Sequence, residues 1–220
     1  MAPTARTVQT ELENVLSYLI GSEIALYMNP VKNDGRHVSW HTFDPDASFF
    51  ASREARSTTN YRNWVETGAY SAILFDGALL QIAYEFAGHA VIGHRLAYVP
   101  CPFAFDVELL LVEPLVDLFD IYADGHTSEV VLDSVVRFDF DPVRAGPGHP
   151  ASHLTINGSH CRIACAAPMR VGHFVDFVLR NFYPTIWSTH PFFARLPYGG
   201  FATRSITPDE LEYTHLSWAV

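Results

Sequence analysis

The feature that most constrains this fold is an Asp-Gly pair between two apolar runs. Asp76 and Gly77 separate the run at residues 70–75 from the run at residues 79–86. A two-residue turn of type I′ requires a positive φ at both central residues, and Asp-Gly tolerates that conformation better than most pairs. The pattern therefore predicts a β-hairpin near the centre of the chain, with one strand on each side of the pair.

A second turn follows directly and extends the hairpin into a three-stranded meander. Gly88 and His89 separate the second run from a third run at residues 90–99, which a proline ends because proline cannot donate a ladder hydrogen bond. Counting pairs outward from this turn places Ile82 opposite Arg95. Arg95 is therefore expected on the apolar face of the meander, where a charged side chain needs a partner.

Hydrophobic periodicity in the rest of the chain predicts an α+β class. The expected helices are 7–28, 109–122, 172–183 and a short carboxy-terminal helix opened by the capping box at 207–210, although the run at 109–112 is also compatible with a strand. The further expected strands are 130–141, 153–156 and 160–164, the last two joined by a type I′ turn at Asn157-Gly158. Residues 29–59 are expected to be mostly loop, with a short strand at 37–43. We expect a single α+β domain over residues 1–220, in which an antiparallel sheet of about six strands packs with three to four helices.

Composition limits the classes of function. The chain has 220 residues, of which 49% are hydrophobic, so it can fold without a metal or a disulfide. Its formal charge of −10 disfavours double-stranded nucleic acid and anionic membranes as partners, although it permits a local basic cleft. Three cysteines without framework spacing, and no apolar leader, predict a cytoplasmic protein. No apolar run reaches the ~20 residues of a membrane helix.

Polar residues interrupt several expected strands and form the candidate site. They are Arg95, Arg137, Asp139, Asp141, His153 and Arg162, with Tyr98 nearby on the third strand. In the functional interpretation the three arginines and Tyr98 bind a phosphate-bearing ligand. His153, Asp139 and Asp141 are the candidate catalytic groups, acting as acid or base or holding a divalent ion. The alternative interpretation is a structural Arg-Asp network that satisfies its own buried charges.

Known catalytic motifs are missing from the sequence. It has no phosphate-binding glycine loop, no Gly-x-Ser-x-Gly elbow, no His-Glu-x-x-His and no zinc finger. Nuclease acids usually stand beside a Glu-x-Lys element, but the only lysine is Lys32 in the amino-terminal loop region. We therefore assign no metal ligand and no cofactor from the sequence.

Several stretches resemble one prokaryotic family. They are Leu74-Phe75-Asp76-Gly77 with Gln81 and Tyr84, His94 to Pro102, Arg137 to Pro142, Ser152-His153-Leu154, Cys161-Arg162-Ile163 and Phe174 to Tyr183. Over residues 60–185 the chain resembles the family named domain of unknown function 2290. The resemblance implies a bacterial or archaeal cytoplasmic protein that accompanies defence or restriction genes, and it implies no activity or catalytic residue. The chain departs from the pattern at Ala164 and Ala166, which affects only a strand end.

Three hypotheses for function remain open. The first is a binding or accessory subunit of a bacterial multi-protein system, for defence or nucleic-acid processing. It acts through the aromatic segment 187–198, which contacts a protein partner, and through the arginine-lined cleft. The second is a phosphoester hydrolase or nuclease that uses the Arg/His/Asp cleft. The third is a toxin-like effector or small-ligand sensor that uses the same cleft. A nucleotide or a single-stranded nucleic acid is the ligand that the net charge leaves open.

Overall fold

A mostly antiparallel sheet with helices on both faces forms the architecture in the computed structural model, which describes residues 3–40, 58–125, 135–157, 161–196, 200–201 and 203–218. The protein is α+β, as the sequence predicts. The helices are α1 (Ala5–Gly21), α2 (Thr58–Glu66), α3 (Val107–Leu110), α4 (Leu115–Asp124), α5 (Val171–Phe182), α6 (Pro184–Thr189) and α7 (Pro208–Leu211). The strands are β1 (Ala25–Met28), β2 (Lys32–Asn33), β3 (His37–Ser39), β4 (Ala72–Leu74), β5 (Leu79–Ala87), β6 (Ala90–Val99), β7 (Val136–Phe140), β8 (Ser152–Ile156), β9 (Arg162–Cys165) and β10 (His215–Leu216).

The expected meander forms the middle of a larger sheet. The strand order is β1-β4-β5-β6-β7-β8-β9-β10, and β3 pairs with the second half of β5 while β2 pairs with β3. Every pair is antiparallel except that of β9 with β10. Among the described residues the sheet has ten strands rather than about six. Strand β3 lies within the short strand expected at 37–43, and β1 lies within the range predicted as helix 7–28. Strands β2 and β10, with two residues each, are too short to show a period in the sequence.

The Asp-Gly turn is a hairpin turn of a different type from the one predicted. Only Gly77 of the pair has a positive φ, at 86°, and its N–H donates to the carbonyl of Leu74 at 2.9 Å. This geometry is a type I turn followed by a glycine in the left-handed region, which makes a three-residue loop. The carbonyl of Gly77 accepts a hydrogen bond from the Tyr61 hydroxyl at 2.7 Å, so a contact with α2 helps to hold the turn.

A β-bulge in β6 overturns the predicted register of the second hairpin. Glu85 pairs with Gly93, so Ile92 is an extra residue that has no counterpart in β5. Because side chains alternate along a strand, one extra residue moves all later side chains to the opposite face. Arg95 therefore does not lie on the face with Ile82 as expected. Leu96 is the residue opposite Ile82, and His94, opposite Tyr84, is buried on that face.

The larger core lies between one face of the sheet and helices α1 and α5. Each helix presents a buried stripe with spacings of three and four residues, formed by Val8, Leu12, Val15, Leu16 and Leu19 in α1 and by Phe174, Val175, Val178 and Leu179 in α5. Helix α1 ends at Gly21 rather than at Met28 as predicted. The chain turns at Glu23, whose φ is 58°, and continues as the edge strand β1.

A second core covers part of the opposite face of the sheet. Tyr61 and Trp64 of α2 and Phe119 of α4 belong to the same buried cluster as residues of β4, β5 and β6. The helix predicted at 109–122 is divided into α3 and α4, since Pro114 stands directly before α4 and cannot donate a helical hydrogen bond. None of the helices in the described part of the chain is long and apolar enough to cross a membrane.

The short helix α7 forms as its sequence predicts. The Thr207 hydroxyl accepts a hydrogen bond from the N–H of Glu210, and the Glu210 carboxylate accepts one from the N–H of Thr207. This reciprocal capping box satisfies two donors that the first turn of a helix leaves free. The expected type I′ turn at Asn157-Gly158 can be followed only to Asn157, whose φ is 49°, because Gly158 lies outside the described residues.

Candidate functional site

Three of the predicted residues form one row across three neighbouring strands. Arg95 in β6 pairs with Asp139 in β7, and Asp139 pairs with His153 in β8. Residues directly opposite each other in adjacent strands have their side chains on the same face. The row therefore places a guanidinium, a carboxylate and an imidazole side by side on the face opposite α1 and α5.

A second row lies next to the first on the same face. Arg137 stands two residues before Asp139 in β7 and pairs with Thr155 in β8, which in turn pairs with Arg162 in β9. The sequence did not single out Thr155, although its position two residues after His153 is a signal for the shared face. We call Arg95, Arg137, Asp139, His153 and Arg162 together the arginine cluster.

Asp139 is the centre of the arginine cluster. Its carboxylate Oδ2 accepts a hydrogen bond from Arg137 Nε at 2.6 Å and lies 3.5 Å from His153 Nε2. Its Oδ1 lies 3.8 Å from Arg95 Nε, is buried, and has no hydrogen-bond partner among the described residues. The Asp139 side chain is only 6% exposed. One oxygen of a buried carboxylate therefore still lacks a donor.

His153 is held as a neutral imidazole. Its ring is 2% exposed, and Nδ1 donates to the carbonyl of Pro150 at 2.8 Å. Burial lowers the pKa of His153, the carboxylate of Asp139 opposes that shift, and the neighbouring His149 and Arg162 add to it. With Nδ1 as the donor, the neutral ring keeps the lone pair of Nε2 on the side of Asp139. His153 is thus suited to accept a proton or a hydrogen bond.

The arginines differ in their exposure and in their partners. The side chain of Arg95 is 38% exposed and that of Arg137 is 16% exposed. The Nε of Arg162 and the hydroxyl of Thr155 are buried and make no hydrogen bond with any described residue. Buried polar atoms normally have a partner, and each one left without it costs roughly 1–3 kcal/mol. Two donors on the face that carries the three arginines therefore lack a partner among the described residues.

Asp141 makes a local contact at the end of β7. Its carboxylate accepts the N–H of Arg144 at 3.2 Å and lies 3.6 Å from Arg144 Nε, which caps the 3₁₀ turn Pro142–Arg144. The side chains of the described residues include no group of three or more His, Cys, Asp or Glu that could hold a metal ion.

Tyr98 lies on the other face of the sheet from the arginine cluster. It is an odd number of residues from Arg95, so alternation along β6 turns it toward α5, where its ring centroid is 4.4 Å from that of Phe182. Its hydroxyl hydrogen-bonds the hydroxyl of Tyr183 at 3.0 Å, and Tyr183 donates to Asp76 at 2.7 Å. Burial raises the pKa of Tyr98 to about 12. The structure therefore separates Tyr98 from the ligand-binding residues with which we grouped it.

The aromatic segment expected as a protein contact surface is packed against the helices as far as Leu196. Trp187 donates to Asp176 at 2.7 Å, and the Arg180 guanidinium lies 4.2 Å from its ring centroid. Phe192 stacks on Tyr18 with ring centroids 3.9 Å apart. The rest of this segment, residues 197–198, lies outside the described residues. The described aromatic rings stabilise the fold and leave no large exposed aromatic surface there.

Comparison with known proteins gives a family and no activity. No curated protein and no solved structure matches the chain significantly. The family model described as an uncharacterized conserved protein (DUF2290) matches residues 23–218, a range that contains all ten strands and the arginine cluster. The resemblance seen in the sequence over residues 60–185 is confirmed and extended by this match. The chain belongs to the DUF2290 family of uncharacterized conserved proteins.

Proposed function

We propose that this protein binds a phosphate-bearing ligand, a nucleotide or a single-stranded nucleic acid, at the arginine cluster. The observation that carries the proposal is the local charge: three guanidinium groups share one face of the sheet with one buried carboxylate, Asp139, in a chain whose formal charge is −10. Guanidinium groups bind phosphate oxygens by charge-assisted hydrogen bonds, often two at a time. A local excess of positive charge on an acidic protein favours a small or single-stranded anion over a long duplex.

The buried polar atoms support a nucleotide more than free phosphate. Arg162 Nε and the Thr155 hydroxyl offer hydrogen-bond donors to phosphate oxygens, whereas Asp139 Oδ1 needs a donor. A ribose hydroxyl or a base amino group is such a donor, and inorganic phosphate at neutral pH offers little of this kind. One ligand that carries a phosphate and a sugar or base satisfies all three atoms.

The same geometry favours binding over metal-dependent chemistry. Asp141 is held at its turn by Arg144, so Asp139 is the acid that remains in the cluster. The sequence carries no common catalytic motif, and this supports an accessory role beside a protein partner. The setting in bacterial defence or nucleic-acid processing rests on the family resemblance alone.

One observation favours a second candidate, a metal-independent phosphoester hydrolase. His153 is neutral, and its Nε2 lies 3.5 Å from the Asp139 carboxylate, which is an arrangement that can accept a proton from an attacking water. Release of nitrophenol from bis(4-nitrophenyl) phosphate in EDTA, lost in His153→Gln and kept in His89→Gln, would establish hydrolysis. No release above the buffer rate would leave the binding role in place.

The test of the binding role is a thermal-shift and calorimetric titration with adenosine monophosphate, oligo-dT, adenosine and inorganic phosphate. A ligand at a hundred times its Kd is expected to raise the Tm of the wild type by roughly 5 °C or more. Arg162→Gln is expected to abolish this rise, and it is the informative variant because Arg162 Nε has no partner among the described residues to lose.

Arg144→Gln is the matched control, since Arg144 contacts Asp141 outside the arginine cluster and its side chain is 72% exposed. It should bind and melt like the wild type in the presence of ligand. The proposal would be contradicted if the wild type bound none of the phosphate-bearing ligands, or if Arg162→Gln bound them as tightly as the wild type.

A further inference from the structure

A cavity of about 610 Å³ lies between the amino-terminal half of α1 and the segment around residues 192–196. This volume is within the range of small-molecule sites, roughly 300–1,000 Å³. Its walls come from the polar side of α1, the start of α5 and the 3₁₀ turn Phe193–Arg195. No residue of the arginine cluster lines this cavity, so the two regions are separate sites in the described structure.

A buried ion pair forms part of the cavity wall. Arg170 donates to Glu11 Oε2 through Nε at 3.0 Å and through Nη2 at 2.5 Å. The backbone N–H of Gly172 donates to the other carboxylate oxygen at 2.9 Å. Both oxygens of Glu11 therefore have partners, and its negative charge is balanced within the protein.

Two further arginines line the cavity without such compensation. The side chains of Arg6 on α1 and Arg195 on the 3₁₀ turn are exposed, and neither side chain forms an ion pair or a hydrogen bond with a described residue. With Arg170 and Glu11 balancing each other, the lining carries an excess of two positive charges. The amino-terminal end of α1 adds to this positive potential, because the first turn contains no acidic residue.

Part of the remaining wall is apolar, and the other part carries polar side chains, those of Thr4, Thr7, Thr10 and Asn14. Val15 and Leu196 are buried side chains that border the cavity, and Phe192 borders it with its ring orientation fixed by stacking on Tyr18 at 3.9 Å. A purely inorganic ion would leave this apolar part without a contact. A ligand with an apolar body gains hydrophobic burial there in addition to the charge.

We propose that this cavity binds a small organic anion. A phosphate or carboxylate group lies between Arg6 and Arg195, and the apolar body of the ligand packs against Val15, Phe192 and Leu196. The site is independent of the ligand proposed for the arginine cluster, so either site can exist without the other.

Isothermal titration calorimetry with phenyl phosphate, benzoate, inorganic phosphate and benzyl alcohol tests the proposal. The wild type is expected to bind phenyl phosphate or benzoate, and the tighter of the two identifies the preferred anionic group. Inorganic phosphate carries only the anionic group and benzyl alcohol only the apolar ring, so each is expected to bind at least tenfold more weakly. The double variant Arg6→Gln/Arg195→Gln is expected to lose at least tenfold in affinity while keeping the wild-type Tm.

Two matched variants assign the binding to this cavity. Arg36→Gln removes an exposed arginine that pairs with Glu85, away from the cavity lining, and is expected to bind like the wild type. Arg162→Gln changes only the arginine cluster and is also expected to leave this binding unchanged. The proposal is overturned when neither organic anion binds, when the double variant binds as tightly as the wild type, or when Arg162→Gln abolishes binding.

Discussion

His94 makes the folding stability depend on pH. Its side chain lies on the apolar face of β6 and is only 4% exposed. Its Nε2 accepts the backbone N–H of Met169 at 2.9 Å, which requires a neutral imidazole. Burial lowers the pKa of His94 from 6.5 to about 4, and the nearby carboxylate of Asp139 opposes only part of that shift.

The sign and the size of the effect follow from proton linkage. The unfolded chain takes up a proton on this histidine near pH 6.5, whereas the folded chain does so near pH 4. Stability is therefore fully present above pH 6.5 and is lost as the pH falls toward 4. The whole shift corresponds to about 3 kcal/mol of unfolding free energy, of which about 2 kcal/mol is lost between pH 7.5 and pH 5.

Urea denaturation followed by circular dichroism at pH 7.5, 6 and 5 measures this loss. His94→Gln keeps an acceptor for the Met169 N–H but does not titrate, so its stability should fall by about 2 kcal/mol less than that of the wild type over this range. His89→Gln, at the exposed hairpin turn of β5 and β6, should keep the wild-type slope. Because burial also lowers the pKa of His153, the stability of each variant should still fall somewhat as the pH falls. Equal pH dependence in His94→Gln and the wild type would refute the reasoning.

Two substitutions test the packing around the cavity and the central turn. Glu11→Gln should destabilise the fold by about 3 kcal/mol, because its buried arginine partner loses the compensating charge. Glu13→Gln, on the exposed side of α1, should cost less than about 0.5 kcal/mol in the same urea titration. Similar costs for the two variants would show that the ion pair is not electrostatically important. Gly77→Ala should cost about 1–2 kcal/mol more than Gly35→Ala. Both glycines have φ near 90°, at 86° and 88°, but only at Gly77 does an added Cβ meet another atom, the Sγ of Cys101, at 3.0 Å. Equal losses in thermal unfolding would mean that backbone strain, rather than crowding, decides both.

Local turn chemistry made the central strands predictable. The runs at 79–86 and 90–99 became β5 and β6 with almost the same bounds, because Gly88 supplies the positive φ of 60° that a two-residue turn requires. The turn at Gly77 was located correctly and its type was not, since Asp-Gly is compatible with more than one kind of hairpin loop. In the observed turn the carbonyl of Gly77 accepts a hydrogen bond from Tyr61 in α2. The residues of the turn alone cannot predict this contact with a distant helix.

The candidate site was predictable within a strand but not between strands. Alternation along β7 puts Arg137 and Asp139 on one face from the sequence alone. The position of Arg95 depended on the bulge at Ile92, and the role of Asp141 depended on a turn that forms only where β7 ends. Neither the bulge nor the turn changes the hydrophobic pattern enough to be predicted from the sequence.

The sequence by itself determined the α+β class, the central meander and the capping box of α7, because each follows from interactions between residues close together in the chain. It also determined the family, which rests on the pattern of residues along the chain. The tertiary structure alone decided the face on which Arg95 lies, the separation of Tyr98 from the arginine cluster, and the cavity beside Arg6 and Arg195. These depend on strand register and on contacts between distant segments. Their energies arise from neighbours that come together only when the whole sheet and its helices are packed.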